Sequence, residues 1–96
     1  MLVLVTYDVS LISPGGQKRL RRVAKICEKY GVRVQNSVFE CIVDQAQFLL
    51  LRNAILKEID KESDSVRFYQ LGNHYKEKAE HYGVAPAIRV DEPLIL

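Results

Sequence analysis

Tryptophan is absent from this chain of 96 residues, which holds only two cysteines, one methionine, three prolines and five glycines. The cysteines, Cys27 and Cys41, sit inside apolar patterns and lack CxxC spacing. That argues against a zinc site and against a disulfide framework, and for two buried thiols in a reducing cytosol. No apolar run approaches the roughly 18 residues that a membrane span needs. Met1 leads directly into a strand pattern without a charged leader or a small-residue cleavage site, so no secretory signal is expected and the expected location is cytoplasmic. Nucleotide-binding loops of the GxxxxGK[ST] or GxGxxG type are missing, and the Gly pair of PGGQKR lacks their spacing. No nucleophile–histidine pairing is legible: Ser10, Ser13 and Ser37 have no histidine nearby, and His74 and His81 read as surface residues.

What is present is ordinary in bulk and uneven in detail. Hydrophobic residues make up 48% and charged residues 27%, the composition of a globular protein, and the length fits one domain. A chain this short buries only about two-thirds of its unfolded surface, so dimerisation is a natural way to complete a core. The net charge is +2. Yet between Pro14 and Arg33 the basic residues Lys18, Arg19, Arg21, Arg22, Lys25, Lys29 and Arg33 face a single acid, Glu28, so the remainder of the chain is acidic. Such a stripe is either a solvated helix face or the footprint of a polyanion.

The pattern predicts a first strand over Leu2–Asp8, apolar on both faces until its terminal acid. Ser13-Pro14 reads as N-cap and first position of a helix, weakened by Gly15 and Gly16, with Leu20, Val23, Ala24, Cys27 and Tyr30 at helical spacing and Gly31 as its stop. Val32–Val43 reads as strand interrupted at Gln35-Asn36-Ser37 by a bulge or bend. Asp44 with Gln47 forms a capping box for a second helix reaching Ile59. Phe48, Leu51, Ile55 and Ile59 make its inner face, widened by Leu49, Leu50, Ala54 and Leu56. A polar turn, Asp60–Asp64, precedes a strand over Ser65–Leu71, and Lys76–Tyr82 reads as a further short strand. The order β-α-β-β-α-β is the ferredoxin-like α+β arrangement, with two helices on one face of an antiparallel sheet. This domain spans 1–83. A C-terminal extension, 84–96, ends in the apolar Leu94-Ile95-Leu96, which reads as a strand added to a sheet edge across a homodimer.

Asp8 is the residue on which chemistry turns. Asp is a common strand stop and turn residue; a carboxylate at the end of a rigid strand is equally a ligand. One carboxylate alone makes a poor Mg²⁺ site. If the open sheet faces of two copies meet and the ends of their first strands approach, two Asp8 side chains would share one ion. Without the ion they repel, so binding strengthens as pH rises. A metal held there polarises a phosphodiester and generates hydroxide.

The opening LVTYDV, the basic stretch KRLRRVAKICEKYG and the segment RVQNSVFE together resemble the CRISPR-associated protein 2 family over nearly the whole chain. The same fold and a related first-strand acid occur in virulence-associated toxin ribonucleases, so a messenger RNA nuclease is a further expectation. The resemblance implies a ferredoxin-like homodimer with exchanged C-terminal strands and Asp8 as the metal-linked acid, binding Mg²⁺ or Mn²⁺. Tyr7, Arg33, Ser37 and Phe39 match the other positions tied to activity. Tyr7 and Phe39 are read equally well as core residues, and Ser37 as either a bulge residue or a hydrogen-bond donor. Arg33, Lys18, Arg19 and Arg22 are expected to contact phosphate. The implied activity is metal-dependent endonuclease cleavage of DNA or RNA during spacer acquisition in antiviral defence. The alternative is a non-catalytic dimer that bridges the CRISPR integrase and holds prespacer DNA.

Overall fold

Alternation of side chains decides the first element. Strand β1, Leu2–Asp8, buries Val3, Val5 and Tyr7, half-buries Leu4 and Thr6 between them, and exposes Asp8 at its end. The computed structural model describes residues 1–84, with the backbone alone at Tyr75. Helix α1 (Gly16–Glu28), strands β2 (Gly31–Gln35) and β3 (Val38–Ile42), helix α2 (Gln45–Glu58) and strand β4 (Ser65–Gly72) follow. The sheet has the order β2-β3-β1-β4, with every neighbouring pair antiparallel. This is the expected ferredoxin-like βαββαβ fold.

Both helices cover one face of the sheet. Val3, Val5, Tyr7, Phe39 and Cys41 meet Val23, Ala24 and Cys27 of α1 and Phe48, Leu51 and Ile55 of α2 in one core. Complete burial of Phe39, Leu51 or Ile55 contributes about 1.5–3 kcal/mol each relative to exposure. The capping box holds as expected. Gln47 N–H donates to Asp44 Oδ1 at 2.7 Å, and Asp44 N–H to Gln47 Oε1 at 2.9 Å.

Several local expectations are corrected. Helix α1 begins at Gly16, with Gly15 in the left-handed region at φ 77° as its N-cap and no side-chain cap. Ser13 does not cap it because its Oγ donates to the Ser10 carbonyl (3.2 Å) and accepts from Arg19. Gly16 does more than weaken a first turn: a Cβ there would lie 2.0 Å from the Ser10 carbonyl oxygen. Gly31 is not a helix stop but the first residue of β2, since Lys29 is the C-cap. A Cβ at Gly31 would sit 2.1 Å from the Glu40 carbonyl oxygen, so only glycine lets β2 begin that close to β3.

The bulge lies between Arg33 and Gln35, and Asn36-Ser37 is the hairpin turn. On α2, Leu49 and Leu50 are exposed rather than part of the inner face. With 3.6 residues per turn, the seam Phe48, Leu51, Ile55 leaves Leu50 on the opposite side. Lys76–Tyr82 does not form a strand. Gly72 turns the chain at φ 77°, a 3₁₀ turn follows at Tyr75–Glu77, and Lys78 Nζ folds back to donate to the Leu71 carbonyl at 2.9 Å. The consecutive charges Lys76, Glu77 and Lys78 offer no alternating face to bury. The expected Leu94–Leu96 strand lies outside the described residues. Among the described residues no helix is long and apolar enough to cross a membrane.

Candidate functional site

The sheet register divides the expected site between two faces. Thr6 pairs with Val38 and Arg67, and Asp8 with Ser65, so Leu4, Thr6 and Asp8 form the central row of the face that neither helix covers. Half-buried Val38 and Ile42 on β3 and exposed Tyr69 on β4 flank that row. The Asp8 side chain makes no hydrogen bond or ion pair among the described residues. Tyr7, Phe39 and Arg33 stand on the opposite face. Arg33 pairs with Phe39 and Phe39 with Val5, which fixes the parity.

On the covered face these three side chains form a stack. The Tyr7 and Phe39 rings lie 6.3 Å apart at 21°, and Arg33 Cζ sits 5.2 Å from the Phe39 centroid, a cation–π distance. Tyr7 Oη is buried and meets no hydrogen-bonding partner at bonding geometry. Burial pushes its pKa up, reinforced by Cys27, while the neighbouring Arg33 cation opposes the rise. Tyr7 therefore stays protonated at neutral pH and acts as packing. Phe39 is fully buried. Arg33 is exposed, yet it stands across the sheet from Asp8 rather than beside it. Ser37 contributes its carbonyl, which accepts the Tyr7 N–H at 3.1 Å and closes β1 at the hairpin turn.

Residues of the basic helix have separate fates. Lys18, Arg21, Lys25 and Lys29 are exposed and unpaired among the described residues, and they follow one another at three- and four-residue intervals along α1. Arg22 reaches Glu58 of α2 at 3.1 Å, with half of its side chain still exposed. Arg19 turns inward to Asp64, Nε to Oδ2 at 2.8 Å, where the Asp64 side chain has no exposed surface. Burial pushes the Asp64 carboxyl up. The Arg19 guanidinium and the Asp60 and Ser10 amides outweigh that and hold it below the ordinary carboxylate range. Sequence reading placed Asp64 in a polar turn and missed it. Its only signal was an acid abutting a strand in a chain with one strongly basic helix.

The donor set bears on a metal. Among the described residues no three His, Cys, Asp or Glu side chains converge. Asp8 is a hard, exposed oxygen donor, and Mg²⁺ accepts one or two carboxylates and completes its shell with water and phosphate oxygens. A single chain thus offers half of such a site. The thiols are no alternative: burial pushes both Cys27 and Cys41 up to about 12, leaving them protonated.

The comparisons with known proteins agree with this geometry. The family model described as CRISPR associated protein Cas2 matches residues 1–79. A protein of Nitratidesulfovibrio vulgaris named CRISPR-associated endoribonuclease Cas2 is 57% identical over all of this chain and 94% of its own. One of Halalkalibacterium halodurans named CRISPR-associated endonuclease Cas2 is 59% identical over 99% of each chain. The crystal structure of Streptococcus pyogenes Cas2 at pH 6.5 superposes with a TM-score of 0.75 at 52% identity, covering 86% of this chain and all of that one. With the family model spanning the folded core and relatives matching end to end, the chain belongs to the Cas2 family of CRISPR-associated proteins.

Proposed function

We propose that this chain is a metal-assisted endonuclease, cleaving phosphodiester bonds of nucleic acid in the cytoplasm as a homodimer during CRISPR spacer acquisition. The observation that carries the reading is Asp8: an exposed, unpaired carboxylate at the end of an otherwise apolar central strand, on the face no helix covers. The names of the two relatives, one an endoribonuclease and one an endonuclease, support it. A second copy laid on Leu4, Thr6, Val38, Ile42 and Tyr69 buries that face and brings a second Asp8 to the same axis. Asp8 from each copy would then hold Mg²⁺ or Mn²⁺, which when bound supplies Lewis-acid polarisation of the phosphodiester and an activated water. Lys18, Arg21 and Arg22 on α1 bind the phosphate backbone and give the complex its salt dependence.

The test is cleavage of duplex DNA and of single-stranded RNA with Mg²⁺, by the wild type beside Asp8→Ala, after both are shown to be dimers of equal stability. Cleavage lost only in the variant establishes Asp8 as catalytic, and the polymer cut names the substrate. Equal or absent cleavage in both overturns the reading.

A second reading is favoured by a different observation. Among the described residues no three metal-ligating side chains gather around Asp8, whereas α1 presents an unbroken basic ridge. In this reading the dimer is a scaffold that bridges the CRISPR integrase and holds prespacer DNA. Spacer acquisition then survives Asp8→Ala and fails when Lys18 and Arg22 are reversed to Glu.

A further inference from the structure

Arg19 belongs to the basic helix by sequence but not by structure. A side chain that serves a polyanion keeps its donors free; Arg19 is only 15% exposed and commits all but one of its N–H donors internally. Nε and Nη2 donate to Asp64 Oδ2 and Oδ1 at 2.8 and 3.3 Å. Nη1 donates to the Pro14 carbonyl at 2.7 Å and Nη2 also to Ser13 Oγ. Asp64 is equally committed, since beyond Arg19 it accepts the Ser10 N–H and the Asp60 N–H, each at 2.9 Å. One buried carboxylate thereby joins the loop after β1, the first turns of α1 and the loop before β4.

The joint brackets Asp8. On its β3 side, pairing of β1 ends with Thr6 opposite Val38 and the Tyr7 N–H on Ser37, so Asp8 has no β3 partner. It is held by Ser65 on β4, the residue that follows Asp64, and by the chain leading to Ser10, whose amide Asp64 holds. The carboxylate therefore anchors the backbone two residues after Asp8 and belongs to the residue just before Asp8's partner on β4.

We infer that Arg19 and Asp64 are positioning residues that fix the orientation of Asp8, and that Arg19 is not a nucleic-acid contact. The consequence for cleavage rests on the proposed role of Asp8; the structural consequence does not. Replacing a residue that orients a reacting group typically costs about 10- to 100-fold in activity, and the cost falls on kcat when substrate contacts are untouched.

The experiment compares Asp64→Asn, Arg19→Gln and Lys18→Gln in the full chain, with amide spectra, hydrogen exchange, cleavage kinetics with Mg²⁺, and binding of a duplex at several salt concentrations. Asp64→Asn is expected to shift the Asp8 amide resonance and remove exchange protection from the Ser10 or Asp60 amide. It lowers kcat about 10- to 100-fold with KM unchanged. Arg19→Gln leaves the log–log salt slope of binding at the wild-type value, whereas Lys18→Gln reduces it by about one. Should the buried pair tolerate neither change, Arg19→Lys keeps the charge and loses the fork, and the same readouts apply. An unshifted Asp8 amide in a folded variant, or an Arg19 variant whose salt slope falls like that of Lys18, overturns the inference. A wild type that does not cleave sinks the nuclease reading alone, because the amide and salt-slope readouts still decide the positioning role.

Discussion

The two faces of β1 are built on opposite terms. On the covered face Val3, Val5 and Tyr7 are held by neighbours from both helices and by Phe39, itself stacked on Tyr7 and overlaid by Arg33. On the other, Leu4 and Thr6 are half-buried and Asp8 is exposed. One face is determined by packing against the helices, and the other is covered by neither of them. Neighbouring residues of one strand, Tyr7 and Asp8, thus belong to different surroundings: the first to the core and the second, in the proposed function, to the metal site. A site inferred as one cluster along the sequence is two clusters separated by the thickness of a sheet.

Exchanging truncations between the faces tests this division most severely. Phe39→Ala removes a fully buried ring and is expected to cost about 3–5 kcal/mol in urea unfolding, with Tyr7 losing its stacking partner. Asp8→Ala is expected to leave unfolding within about 0.5 kcal/mol of wild type while cleavage drops by about 100-fold or more. Comparable stability losses in both variants would erase the distinction between the faces. A smaller effect is expected where the sheet is tightest. Gly31→Ala forces a methyl group onto the Glu40 carbonyl and should cost about 1–3 kcal/mol, with no change in salt-dependent binding. The smallest is confined to acid. The folded pKa of Asp64 lies below its unfolded value of about 3.9. Its contribution is therefore complete above that value and is lost as pH falls through the folded pKa. An acid titration of stability should show a flatter limb in Asp64→Asn than in wild type, and parallel limbs would contradict the assignment.

The covered face was the legible one. Its residues follow simple periods: two in β1, three and four in α2, and a capping box whose residues name the helix start. From those the fold class and the range of β1 could be written down in advance. What escaped was set by contacts between distant segments. Gly16 and Gly31 resembled punctuation, yet each is required because a carbonyl from elsewhere passes within a bond length or two of its missing side chain. Arg19 was indistinguishable from its basic neighbours until Asp64, 45 residues away, claimed it. Asp8 stood out only because nothing in a buried strand calls for an acid at its end. Parity then separated it from Arg33 and Phe39, and for Arg33 that parity depends on a bulge between Arg33 and Gln35, whereas the local pattern marked a bulge or bend at Gln35-Asn36-Ser37.

The buried thiols have a practical consequence. With both cysteines pushed up to about 12, the thiolate fraction at neutral pH is on the order of one in 10⁵, and neither sulfur is reachable from solvent. Toward maleimides and methanethiosulfonates the folded chain is a blank background without any need to remove its own cysteines. A single cysteine placed at Ile12, whose side chain is 98% exposed on the loop beyond Asp8, would take a spin label or fluorophore alone. With no tryptophan in the sequence, the same position would accept one as the sole tryptophan, excited at wavelengths the five tyrosines do not absorb, giving two independent optical or magnetic reporters a few residues from Asp8.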